Sequence, residues 1–152
     1  MHILIAAIGR LKSGPELALF EHYAARLAWK ITVREYEIKK AMEPAARKQQ
    51  EAALLLKACA DAGHILALDA RGVQMTSPEL AAHLRKTRDH GAQRIAFVIG
   101  GADGLHETIL AQAQTKLSFG RVTWPHALMR ALLAEQLYRA QSILSGHPYH
   151  RE

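Results

Sequence analysis

The residue types able to carry chemistry concentrate in residues 117–149, LSFGRVTWPHALMRALLAEQLYRAQSILSGHPY. Leu128, Leu132, Glu135, Arg139 and Ser142 recur at helical spacing, so an apolar stripe runs into an acid, a base and a hydroxyl on one helix side. A plain core helix has no use for that sequence of types; a surface helix uses Glu135 and Arg139 as an i, i+4 ion pair. Pro125 fits a helix's first turn, with Thr123 as the cap before it, which leaves a helix N-terminus whose amides suit an anionic or carbonyl-rich ligand edge. After the helix comes a tail of rings and cations, with Tyr149, His150 and Arg151 in it. Such a tail suits stacking on an unpaired base and gripping phosphate, and is otherwise a frayed end.

A second set of candidates lies in the middle of the chain. Gly100, Gly101 and Gly104 follow an apolar run and precede a helical stretch, where an open α/β sheet binds ligands. Their spacing is not that of a dinucleotide fingerprint, and no lysine completes a phosphate loop. A glycine turn requiring positive φ is the alternative use. Asp69 ends another apolar run; its carboxylate can meet a ribose hydroxyl or cap the turn that follows. His147 and His150 are an H-x-x-H pair without further ligands, so no metal site is expected. No G-x-S-x-G elbow supports a serine triad.

The elements that must position these groups belong to one domain, spanning residues 1–152. A hydrophobic fraction of 49% with 22% charged residues excludes a disordered or fibrous chain. The net charge of +6 makes nucleic acid a natural partner, although Lys39, Lys40, Arg47 and Lys48 are the only dense basic group. The single cysteine, Cys59, rules out a disulfide framework, reads as buried filler and fits the cytoplasm. The N-terminal apolar run is too short for a membrane span and lacks a basic leader.

Residues 2–8, 64–69 and 94–100 are continuous apolar runs, the pattern of strands buried on both faces. Residues 31–38 alternate as a half-exposed strand, and residues 117–119 make a short fifth one. Helices are expected from Pro15, from residue 45 to a stop at Gly63, from a Ser77 cap with Pro78 to Gly91, over residues 105–115, and from Pro125. Residues 70–76 read as a loop. Strands alternating with helices predict an α/β domain with a mainly parallel sheet flanked by helices.

The segments LALDARG, FVIGGADGL, TWPHALMRALLAEQLYRA and HPYHRE, together with the glycine-closed first strand, carry a resemblance over the whole chain. The sequence resembles the family of ribosomal RNA large subunit methyltransferase H (RlmH), within the SPOUT superfamily. The resemblance implies a SPOUT-type α/β knot with a C-terminal trefoil. It also implies a homodimer that transfers a methyl group from S-adenosyl-L-methionine to N3 of a pseudouridine in 23S rRNA on the assembled ribosome. It assigns the cofactor to Leu68, Gly100, Phe119, Gly120, Arg121, Val122, Thr123 and Trp124, with main-chain groups dominating at residues 120–122. A sulfonium methyl is already activated, so the protein has to position the acceptor and help it lose a proton. Glu135 is a candidate base and Arg139 a candidate stabiliser of the resulting anion; the alternative is that they hold the helix and tail in place. His126 is a further candidate. Tyr149, His150 and Arg151 are expected at the RNA, crossing to the partner's site. A related methyltransferase acting on tRNA or a ribose hydroxyl, or a non-catalytic ribosome-binding factor, are the competing readings.

Overall fold

The computed structural model describes residues 1–151. Five strands, β1 (His2–Ile8), β2 (Lys30–Tyr36), β3 (His64–Gln74), β4 (Arg94–Ile99) and β5 (Thr115–Ser118), form one sheet. The order is β2-β1-β4-β3-β5 and every neighbouring pair is parallel. Five helices connect and flank them: α1 (Pro15–Ala24), α2 (Pro44–Ala58), α3 (Ser77–Asp89), α4 (Glu107–Gln112) and α5 (His126–Ser145). Along β1, Ile3, Ile5 and Ala7 pack with Phe20, Leu84, Leu133 and Leu137. Leu4, Ala6 and Ile8 pack on the other face with Ala52, Leu55 and Ile109. α1, α3 and α5 thus cover one face and α2 with α4 the other, which is why the central strands read as unbroken apolar runs.

The expected α/β architecture stands, with corrections at its boundaries. β3 runs on to Gln74 where a loop was expected. Its register against β5 slips between Leu68 and Val73, both opposite Leu117, so residues 69–72 bulge out of the sheet. Gly72 permits this: a Cβ there would stand 2.6 Å from the Lys116 carbonyl. The Asp69 carboxylate closes the bulge by accepting the Arg71 amide at 2.8 Å.

α2 stops at Ala58 with Cys59 as its cap, not at Gly63; that glycine instead lets the chain pass Ala92, whose Cα would lie 3.1 Å from a Cβ. The cap of α3 is Thr76 rather than Ser77. It forms a reciprocal capping box with Glu79, which supplies the acid three positions on that Ser77 lacks. α4 is only six residues long because His106 caps it late and Gln114 is drawn out to accept the Ile65 amide. Finally, Pro125 is itself the N-cap of α5, its carbonyl accepting the Met129 amide, so Thr123 caps nothing.

Cys59 is buried, and burial pushes its thiol up to about 11. At neutral pH it is an inert thiol, as expected of filler. No helix among the described residues is long and apolar enough to cross a membrane.

Candidate functional site: a main-chain cleft at the strand ends

In a parallel sheet all loops that follow strands emerge at one edge. Here β3, β4 and β5 are neighbours, and the segments that follow them enclose a cleft of about 440 Å³. This is within the range of small-molecule sites. Its walls are residues 68–71 at the β3 bulge, residues 99–105 after β4, and Phe119, Gly120, Val122, Thr123 and Trp124 after β5. His126 and Met129 from the first turn of α5 and Lys48 from α2 complete it.

Local bonds shape each wall. After β4 the chain reverses over residues 101–104, where the Gly104 amide donates to the Gly101 carbonyl at 3.0 Å and Gly104 sits at φ +77. This reversal itself requires Gly100, since a Cβ there would meet the Gly104 carbonyl carbon at 2.9 Å. After β5, Gly120 takes φ +108 and the Trp124 indole donates to the Phe119 carbonyl at 3.1 Å. The Ser118 hydroxyl donates to the Ala70 carbonyl at 3.1 Å, tying this wall to the β3 bulge. The first turn of α5 has no side-chain cap, so its amides are open to a ligand at the cleft.

The charges of the cleft are few. Asp69 is held below the usual carboxylate range by its bonds to the Arg71 guanidinium, and its contact with that group is bidentate. The pair neutralises itself, and Asp69 caps its turn as the second sequence reading allowed. Behind the glycine turn lies Glu51, buried against Gly101. Burial raises its carboxyl above the ordinary value, Asp103 raises it further, and Arg47 opposes them. No group of three or more metal-binding side chains exists among the described residues.

Of the cofactor residues expected from sequence, Leu68, Gly100, Phe119, Gly120, Val122, Thr123 and Trp124 line the cleft; Arg121 is exposed and does not. Lys48 and Met129 were missed. Lys48 had been noticed only as part of a basic group, and nothing in its own segment points at a loop fifty residues on.

Glu135 and Arg139 are elsewhere, further along α5, in a cluster of their own. Glu135 Oε1 accepts from the Arg139 guanidinium, at 2.9 Å from Nε, and from the Tyr149 hydroxyl at 3.0 Å. Its Oε2 accepts from Gln136 at 2.7 Å. The tail is therefore folded back. The Tyr149 ring stacks edge-on to Tyr138, with Arg139 over it at 4.8 Å and Arg26 at 5.3 Å. Burial and the neighbouring Tyr23 and Glu135 push the Tyr149 phenol well above its ordinary range. His150 lies 3.3 Å from Arg139, and Arg151 is exposed. Glu152 lies outside the described residues.

The cleft can bind and orient a small molecule through main-chain groups, two aromatic rings and a helix N-terminus. It offers no cysteine or serine nucleophile. Residues 1–150 match the family described as "Predicted SPOUT methyltransferase". The chain is 49% identical over 151 residues, 99% of both chains, to ribosomal RNA large subunit methyltransferase H of Paramagnetospirillum magneticum. It is 44% identical to the protein of the same name from Methylocella silvestris over the full length of both. In fold it is similar to a methylase-family protein of Haemophilus influenzae, with TM-score 0.61 at 15% identity, covering 99% of this chain and 70% of that one.

Proposed function

Because the chain belongs to the SPOUT methyltransferase family, we propose that it transfers a methyl group from S-adenosyl-L-methionine to N3 of a pseudouridine in the 23S rRNA of assembled ribosomes. The observation that carries this reading is full-length identity near one half to relatives named as large-subunit rRNA methyltransferases. It works in the cytoplasm as a homodimer, with the chain end threaded into a trefoil knot.

The cleft fits the cofactor's chemistry. Its glycine-shaped main-chain walls and the uncapped start of α5 offer donors and acceptors to polar groups, and Phe119, Leu68 and Trp124 offer surface to a base. Bound there, S-adenosylmethionine supplies an activated methyl group. Everything else is positioning and proton removal. Glu135 has its lone pairs engaged by Arg139, Tyr149 and Gln136, so accepting the imino proton requires one of these to let go. The bonds favour the other role expected of the pair: Glu135 and Arg139 hold Tyr149 and His150 as a rigid edge that meets RNA at the partner's cleft.

Mass spectrometry of 23S rRNA nucleosides, from cells with and without the gene, tests the reaction. Loss of one methylated pseudouridine is expected, and an unchanged nucleoside profile overturns the assignment. Calorimetry with S-adenosylmethionine tests the cofactor, and light scattering at micromolar protein tests the dimer.

A further inference from the structure

The chain makes five ion pairs among the described residues, and they consume Arg71, Arg88, Arg94, Arg130 and Arg139. Two cations line the cleft. Arg71 is one, and Asp69 neutralises it. The other is Lys48, half-buried in the second turn of α2, without a salt bridge to any described residue. It is the uncommitted positive charge of the site, delivered by a helix to which neither the sequence reading nor the family resemblance assigns a part.

Lys48 is not isolated. Arg47 beside it has its Nε buried without a hydrogen-bond partner and, one turn of α2 before Glu51, favours the charged form of that carboxyl. Lys39 and Lys40 are exposed in the segment that leads from β2 to α2. In a parallel sheet, that segment leaves by the same edge as the cleft. A cofactor carboxylate can use one ammonium. Three further cations in and just before the same helix, two of them exposed, match a chain of phosphates instead.

We infer that Lys48 grips a backbone phosphate of the substrate RNA at the cleft, with Arg47 of α2 and Lys39 and Lys40 of the segment before it continuing the contact outward. This rests on the rRNA reading above and adds to it the surface that holds the strand on the side away from the tail. Such contacts orient the acceptor nucleotide without reading its sequence. Arg47 and Lys48 then act as positioning residues, not in the chemistry.

The test uses full-length protein and purified ribosomes. Lys48→Ala, Lys48→Arg and the Lys39→Ala/Lys40→Ala double variant are compared with wild type, and Lys86→Ala in α3 serves as the control. Melting curves confirm that each is folded. Lys48→Ala is expected to raise the KM for ribosomes about five-fold and to lower the slope of log KM against log salt by about one contact. Its affinity for S-adenosylmethionine by calorimetry should stay at the wild-type value, Lys48→Arg should restore the KM, and the double variant should change KM in the same sense. If Lys48→Ala loses the cofactor and keeps its salt slope, the lysine serves the cofactor and the inference is overturned. An unchanged KM overturns it equally. A wild-type protein that leaves ribosomes unmethylated removes the rRNA reading itself, and is recognised before any variant is made.

Discussion

The cleft and the Glu135 cluster stand on the same helix and are built on opposite plans. The cleft is made of main chain and glycines, with open amides at the start of α5 and an unpaired lysine. The cluster is made of side chains bonded to side chains: Glu135 accepts from Gln136, Arg139 and Tyr149, and Tyr149 reaches Tyr23 and packs edge-on to Tyr138. A region with unmet bonding capacity waits for a ligand. One whose groups are already paired holds a shape. The contrast teaches that a conspicuous acid and base at i, i+4 can be scaffolding, while the ligand site consists of residues with little side-chain chemistry.

The sharpest way to break the contrast is to disturb what both regions share. Arg130, buried on α5, donates at 2.9 Å to the Ile8 carbonyl, at 2.8 Å to that of Gly9, and to the Glu35 carboxylate, which also accepts the Leu11 amide. Arg130→Met leaves two carbonyls without this donor and Glu35 without its ion-pair partner, with the Leu11 amide still bonded to it. We expect a loss of about 3–5 kcal/mol in urea unfolding, with both the cleft and the cluster affected.

Deleting residues 147–152 addresses the cluster alone. Methylation of ribosomes should fall at least about 100-fold. Cofactor affinity by calorimetry should hardly change, because no described residue of that segment lines the cleft. Loss of the cofactor would merge the two regions into one site.

Gly100→Ala addresses the cleft alone. The added methyl meets the Gly104 carbonyl carbon at 2.9 Å, so the turn must move. Cofactor affinity should drop roughly ten-fold, the equivalent of about 1.4 kcal/mol, while the Tyr149 contacts persist. A crystal structure of the variant with its turn unmoved would contradict this.

The smallest effect concerns Glu51. Its carboxyl is raised by burial, so the folded state holds the proton more tightly than the unfolded chain. The stability this gives is complete below the unfolded value and is lost as pH rises through the folded one. Glu51→Gln should therefore melt slightly higher than wild type at neutral pH, by roughly 1 kcal/mol or less, and no higher in acid. Thermal melts across that range check the sign.

Much of the fold could be read from the chain because burial on two faces writes itself into composition. β1 and β4 are unbroken apolar runs, and helices between them force a parallel order. The cleft residues after β5 came from the resemblance, not from periodicity. What remained illegible depends on contacts between distant segments. A side chain at Gly100 is barred because Gly104 folds back over it. Lys48 lines the cleft because α2 crosses beside the turn after β4, a meeting of residues fifty apart. Residues 69–72 bulge because Gly72 touches the Lys116 backbone, which no local pattern announces. The tail reads as loose, yet one phenol finds two oxygen partners and docks it.

Cys59 gives this molecule a built-in clock. The thiol lies at the end of α2 in the core that also holds Leu55 and Leu4 on that face of the sheet, and its thiolate is strongly disfavoured there. A disulfide reagent can modify it only in molecules whose α2 has lifted from the sheet, so labelling should follow the opening of that helix. The chain has no other cysteine. A single exponential read without added dyes or engineered sites would then report how often the helix that carries Lys48 leaves its place.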